Sequence, residues 1–313
     1  MEVTFGLNGP AVSPLGIGTW AWGDKLFWNY GKEYDAADLQ AAFKAALDSG
    51  ILFFDTAEIY GFGESERLLG EFMQQTDRPV TIATKYFPLP WRFNADAVAD
   101  ALTASLKRLQ LPMVTLYQVH WPFDFLMGQT TLMNALADEV KQGRIQAVGV
   151  SNYSAEQMRQ AHRLLADRGV PLAVNQVQYS LLARQIERNG VLSTARELGV
   201  TILAYSPLAQ GLLTGKYTPE TYTPPTGARK LDPRFSRSGL EKLAPVINLL
   251  KSIGERHGRT PAQVALNWLI AQGNVIPIPG AKNPNQVEQN AGALGWSLTE
   301  SEVAELAAAT QKD

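Results

Sequence analysis

Asp55, Tyr60, Lys85 and His120 are the side chains of this sequence whose types and spacing could move a proton. Asp55 follows the apolar run at residues 51–54, Lys85 closes VTIATK (80–85), and His120 closes VTLYQVH (114–120). Tyr60 stands in the polar loop that Asp55 opens. Each has a plainer reading alone: a strand-end Asp caps a turn, a strand-end Lys snorkels to solvent, and a lone His bonds to backbone. His162 and His257, in helical stretches, keep that reading. Together the four describe an acid. A free phenol has a pKa of about 10, and an ammonium beside it favours the phenolate and eases release of the proton. Asp55 would hold Lys85 charged and oriented, His120 would bond a substrate oxygen, and Tyr60 would protonate an oxygen that gains charge. With no side-chain nucleophile among them, the set suits carbonyl reduction, whose electrons come from a cofactor.

Such residues need a scaffold that brings strand ends together. Apolar runs read as strands at 15–20, 51–55, 80–85, 114–120, 145–151, 172–178, 201–206 and 275–280. Helical periodicity fills the gaps near 35–49, 65–74, 95–109, 130–142, 155–168, 188–198, 241–257, 261–271 and 284–292. In the first of these, Leu39, Phe43, Ala46 and Leu47 share a face and Gly50 marks the stop. Eight strands alternating with helices, without a break in composition, predict one α/β domain over residues 1–313, a (β/α)8 TIM barrel. A doubly wound sheet is the alternative, but GIGTW and GFGESE both lack the third glycine of its nucleotide fingerprint. Residues 207–240, rich in Gly and Pro, are expected to form a long loop after strand seven, and residues from Ser301 an extra C-terminal helix. In a barrel the strand ends share one rim, which adds Ser151, Asn152, Gln176 and Tyr205 to the first four residues. Trp22, Trp28, Tyr86, Trp91 and Trp121 would give that rim an aromatic face for a small planar substrate.

The 313 residues carry a net charge of −2 without basic clusters, so nothing suggests a nucleic acid or a lipid surface as partner. Cysteine is absent, which removes disulfides, thiolate metal sites and thiol nucleophiles; no metal is expected. No run approaches ~18 apolar residues, so a soluble, cytoplasmic protein is expected, a monomer or weak homo-oligomer acting on a small molecule.

FFDTAEIYGFGESERLLG, TIATKYF, LYQVHWP, GRIQAVGVSNYS, NQVQYSLL, AYSPLAQGLLTGKY and PIPGAKNPNQVEQNAGAL resemble, in order, segments of the aldo-keto reductase family, from Gly16 to about residue 306. The resemblance implies a barrel that binds NADPH (as NADP+ when oxidised) in an extended pose, with Asp55, Tyr60, Lys85 and His120 as its catalytic tetrad. It places Ser151, Asn152 and Gln176 on the nicotinamide carboxamide and Tyr205 against the ring. Ser206, Leu208, Gly211 and Lys216 fall on the pyrophosphate loop, and Lys282, Asn283, Gln286 and Asn290 around the adenosine phosphate. Gly18, Thr19, Trp20, Asp55, Gly280 and Gln289 complete the expected cofactor contacts. Lys282 argues for NADPH over NADH, because only NADPH has a 2′-phosphate to pair with it. Gln289 departs from the acidic residue many members have there, and Gln286 from the arginine of one large branch.

A regulatory subunit of potassium channels, able to bind nicotinamide nucleotide with little turnover, shares the GAKNPNQVEQN-like spacing, and a cofactor-free isomerase is a further alternative. The complete tetrad, His120 included, favours the reductase. The last third is similar to plant and cyanobacterial members, some of which reduce pyridoxal.

Overall fold

The structure, a computed structural model, describes residues 3–123, 127–220, 222–225 and 227–311. A hairpin of β1 (Val3–Thr4) and β2 (Ala11–Val12) comes first. Eight parallel strands follow: β3 (Ile17–Gly18), β4 (Phe53–Asp55), β5 (Thr81–Tyr86), β6 (Val114–Val119), β7 (Ile145–Ser151), β8 (Leu172–Gln178), β9 (Thr201–Tyr205) and β10 (Val275–Pro277). Each pairs with the next in chain order. The circle closes where the backbone N–H groups of Gly16 and Gly18 donate to Pro277 O and Pro279 O, both at 3.0 Å. Gly18 also forms a parallel bridge with Gly280. A Cβ at position 18 would stand 2.8 Å from Ile278 O, so the seam requires a glycine.

Helices α1 (Ala36–Asp48), α2 (Glu64–Met73), α3 (Asp96–Leu109), α4 (Gln129–Lys141) and α5 (Ala155–Ala166) fill the early crossovers. Then come α6 (Gln185–Arg188), α7 (Val191–Leu198), α8 (Arg237–His257), α9 (Pro261–Ile270), α10 (Pro284–Ala291) and α11 (Glu300–Ala309). The first helix shows why the periodic signal was sound. Asp35 caps it by accepting from the N–H groups of Ala37 and Asp38, and Asp38 returns a bond to the Asp35 N–H. Leu39, Ala42, Phe43, Ala46 and Leu47 are buried, and burial of each large side chain contributes roughly 1.5–3 kcal/mol.

Three features differ from the sequence expectations. The N-terminal turns form the β1–β2 hairpin, whose Phe5 and Val12 join Phe53, Leu116, Val174 and Leu203 in the barrel interior and plug its lower end. Two-residue strands are too short to carry a period. The helix expected at 188–198 is two, because Gly190 takes φ +82° between α6 and α7. The 207–240 stretch, whose residues 221 and 226 lie outside the described ones, contains 3-10 turns at Ala209–Thr214, Gly227–Leu231 and Pro233–Phe235. It ends early, since Ser236 caps α8 by accepting from the Gly239 N–H at 3.1 Å. The terminal helix α11 packs outside the barrel on α8, with Glu302 against the His257 ring at 2.9 Å. Among the described residues no helix is long and apolar enough to cross a membrane.

Candidate active site

Asp55 ends β4 and is buried with Lys85 of β5. The Lys85 Nζ lies 2.5 Å from Asp55 Oδ1 and donates to Thr56 O at 2.7 Å. Asp55 Oδ2 accepts from Gln118 Nε2 at 3.0 Å and from Gln176 Nε2 at 2.7 Å. Tyr60 opens a tight turn in which Gly61 and Phe62 both adopt φ +57°. The reversal brings the phenol ring back over the ion pair, its centroid 5.0 Å from Lys85 Nζ. His120 leaves β6 with its ring edge-on to Tyr60 at 5.7 Å and to Phe87 at 5.5 Å. The four expected residues therefore meet.

Their electrostatics differ from the sequence expectation in one respect. Burial, then the charge of Asp55, holds the Tyr60 phenol well above its usual 10. Burial also pulls the Lys85 ammonium down, with Asp55 opposing. Burial and the Asp55 charge, rather than the ammonium, set the state of the phenol, and Tyr60 keeps its proton. Burial and the neighbouring Lys85 charge lower the His120 imidazole to about 3, which leaves it neutral. Its Nδ1 is buried without a partner among the described residues, leaving Nε2 to engage a group in the cavity.

That cavity, of about 1360 Å³, runs from the tetrad to α10. Gly18, Thr19 and Trp20 line it beside Asp55, and Ser151, Asn152 and Gln176 line its floor. Asn152, at φ +62°, donates to His120 O at 3.2 Å and accepts from the Tyr205 hydroxyl at 3.1 Å. Ser206, Leu208, Gly211 and Lys216 form one wall; Gly280, Lys282, Gln286, Gln289 and Asn290 form the far end. Asn283 is not on the cavity, because its side chain turns back to cap α10 and accepts from the Gln286 N–H at 3.0 Å.

At the far end Lys216, Arg229 and Lys282 converge. Lys282 is drawn below its usual value by burial; Glu33 opposes this, and the charges of Arg229 and Lys216 add to it. Its partner Glu33, at 3.8 Å, is exposed. Arg229, which sequence reasoning missed, stacks on Trp28 at 5.5 Å and donates to Gln210 O at 3.1 Å. The only available signal was a basic side chain in an aperiodic Gly/Pro stretch.

The expected aromatic face needs correction. Trp121 lines the mouth, and Trp28 lines the cationic end, its ring 5.6 Å from Lys282 Nζ. Trp22 is buried against Phe54 and Phe72 and donates from Nε1 to Ala281 O at 2.8 Å, so it is core. Tyr86 follows inward-facing Lys85, and the alternation of a strand turns it outward beneath Arg92, 5.1 Å from its ring. Trp91 is exposed and off the cavity. Phe27, Ile59 and Phe87 line the mouth in their stead.

Proteins similar to this chain in sequence and architecture include aldo-keto reductases. The Aldo/keto reductase family model matches residues 14–311. A chloroplastic pyridoxal reductase of Arabidopsis thaliana is 42% identical over 308 residues, covering 95% of this chain and 82% of the reductase. The solved glycerol dehydrogenase of Gluconobacter oxydans is 30% identical with a TM-score of 0.85, over 98% of this chain and 94% of that one. An aldo-keto reductase from Klebsiella pneumoniae, solved in complex with NADPH, is 30% identical with a TM-score of 0.75, over 97% and 93%. With a match that spans the barrel from before β3 to the end of α11, the chain belongs to the aldo/keto reductase family.

Proposed function

We propose that this protein reduces aldehydes and ketones to alcohols with NADPH, and that Tyr60 delivers the proton. The observation that carries the reading is the buried Asp55–Lys85 pair under the Tyr60 ring, beside a neutral His120, in one cavity with a cationic far end. The residues present fit a dinucleotide phosphate. Lys216, Arg229 and Lys282 face the end suited to phosphates, and Trp28 Nε1 and Gln210 Oε1 are buried polar atoms on cavity-lining residues without partners among the described residues. The nicotinamide, when bound, supplies the hydride.

The chain supplies the rest. His120, neutral, bonds the carbonyl oxygen from Nε2 and sets its position. Tyr60 gives that oxygen its proton as negative charge grows there, and the Asp55–Lys85 pair beneath keeps the ring in place. Gln176, Ser151 and Asn152 orient the carboxamide, and Lys282 with Arg229 and Lys216 neutralises phosphate. This complete set supports an enzyme over a regulatory nucleotide sensor.

Quenching of tryptophan fluorescence by NADPH, followed by loss of nicotinamide absorbance when an aldehyde is added, tests the reading. Binding without turnover across aldehydes and ketones, or no binding, would overturn it. The mouth at Phe27, Phe87 and Trp121 suits a planar substrate, and pyridoxal, named in the Arabidopsis relative, is the aldehyde we infer. Pyridoxal should turn over faster than benzaldehyde at equal concentration; an equal or slower rate rejects it.

Lys282 is the residue through which the cofactor choice can be tested. Removing one charged contact to a 2′-phosphate costs about 1.5 kcal/mol or more, which is roughly tenfold in affinity. Lys282→Ala should raise the KM for NADPH by about that factor and leave the KM for NADH nearly unchanged. A parallel rise in both would show that Lys282 does not read the phosphate.

A further inference from the structure

Gln118 touches no part of the cavity, yet it joins two residues that do. It is fully buried on β6, in register with Lys85 on one side and Gly149 on the other. Its Nε2 donates to Asp55 Oδ2 at 3.0 Å, and its Oε1 accepts from Gln176 Nε2 at 3.2 Å. Gln176 lies on β8, one strand beyond β7, and the span is open because position 149 carries no side chain. A Cβ there would stand 2.9 Å from Gln118 Cγ and 3.3 Å from Val174 Cβ.

The chemistry of the three groups allows only one arrangement. A carboxylate accepts and does not donate, so both amides must turn their nitrogens toward Asp55. The Gln176 nitrogen then serves Asp55 and Gln118 together, at 2.7 and 3.2 Å. Its remaining polar atom, Oε1, is left as an acceptor on the cavity floor, beside Ser151 and Asn152. An acceptor fixed there takes an N–H donor, such as the NH2 of a primary carboxamide, and discriminates against a group that has none.

We propose that Gln118 is a positioning residue that, as a second acceptor beside Asp55, locks the amide of Gln176 with its oxygen toward the cavity and thereby sharpens the selectivity of the cofactor site for a primary carboxamide. The inference rests on the NADPH reading above and adds a residue to it. Through Asp55, the same amide joins the carboxamide seat to the carboxylate that holds Lys85.

The test compares binding of NADP+ and its 3-acetylpyridine analogue, whose acetyl group replaces the carboxamide and has no N–H, by tryptophan fluorescence. Wild-type protein should favour NADP+ by about fivefold, the worth of one hydrogen bond of roughly 1 kcal/mol. Gln118→Met, similar in volume and unable to make either bond, should bring the two dissociation constants to within about twofold, almost wholly by weakening NADP+. Gly149→Ala, which retains both amides and crowds Gln118 more closely than its other neighbours, should reduce the preference in the same direction; it carries the test if Gln118→Met lacks a cooperative melting transition. An equal loss for both nucleotides, or an unchanged preference in the folded variants, would overturn the proposal, as would a wild-type protein that binds both alike. Failure of wild-type protein to bind either nucleotide would instead overturn the cofactor reading and this inference with it.

Discussion

Tyr60→Phe is expected to lower kcat for aldehyde reduction by about 10²–10⁴-fold, the range that a positioned general acid supplies, with NADPH affinity changed less than about twofold, since no binding contact is removed. The substitution removes one atom. The Tyr60 hydroxyl has no hydrogen-bond partner among the described residues, while the ring, which packs on His120 and over Lys85, is retained. Melting temperature should therefore hold, and this separates lost chemistry from lost structure. The pH profile adds an independent check. Burial and the charge of Asp55 raise the phenol, and burial with the charge of Lys85 lowers His120 to about 3, so neither group changes state between about pH 5 and 8. Wild-type kcat should be flat across that window. A limb near neutrality that disappears in His120→Asn would show that the imidazole carries charge during turnover, and near-normal kcat in Tyr60→Phe would remove the phenol from the mechanism.

The parts of this site that were legible in the sequence are those governed by period and by strand ends. Asp55, Ser151 and Tyr205 sit at the C-terminal ends of β4, β7 and β9, and Lys85 and Gln176 are close to the ends of β5 and β8. Apolar runs end where side chains reach the open rim, and the runs were visible. Applied one residue further, the same rule would have rejected Tyr86 and selected Phe87, because inward-facing Lys85 fixes the alternation on either side. Trp22 could not be judged that way. It lies in a loop whose path is set by packing on α1 and α2, and no local signal distinguishes a tryptophan that turns into the core from one that faces a cavity. Arg229 was hidden for a related reason: it belongs to a short 3-10 turn held to another loop by its stack on Trp28. Gln118 was within reach. A glutamine in the middle of an apolar parallel strand requires buried partners, and its parity matched that of His120.

The charge of Asp55 should matter more widely than the proton of Tyr60. Three donors, Lys85 Nζ, Gln118 Nε2 and Gln176 Nε2, converge on its two oxygens. Asparagine offers one oxygen and one NH2, so in Asp55→Asn at least one donor meets another donor. If the oxygen stays with Lys85, both glutamine amides must turn, and the Gln176 oxygen leaves the cavity. Asp55→Asn should thus weaken NADPH binding as well as turnover, whereas Tyr60→Phe affects turnover alone. It should also destabilise the fold. Removing one partner of a buried ion pair costs about 3–5 kcal/mol, a fall in melting temperature on the order of 10 °C for a chain of this size. That cost depends on pH. Burial already lowers the Lys85 pKa, and without Asp55 nothing of comparable strength opposes it. The folded variant therefore releases the lysine proton at a pH where the unfolded chain, with a pKa of about 10.4, still holds it. The unfolded state then binds more protons, so stability rises with pH across that interval. The deficit relative to wild type, measured by denaturant unfolding, should be largest near pH 7 and shrink toward pH 10. A deficit independent of pH would mean that the lysine is not the uncompensated charge, and unaltered NADPH affinity would mean that Asp55 does not orient Gln176.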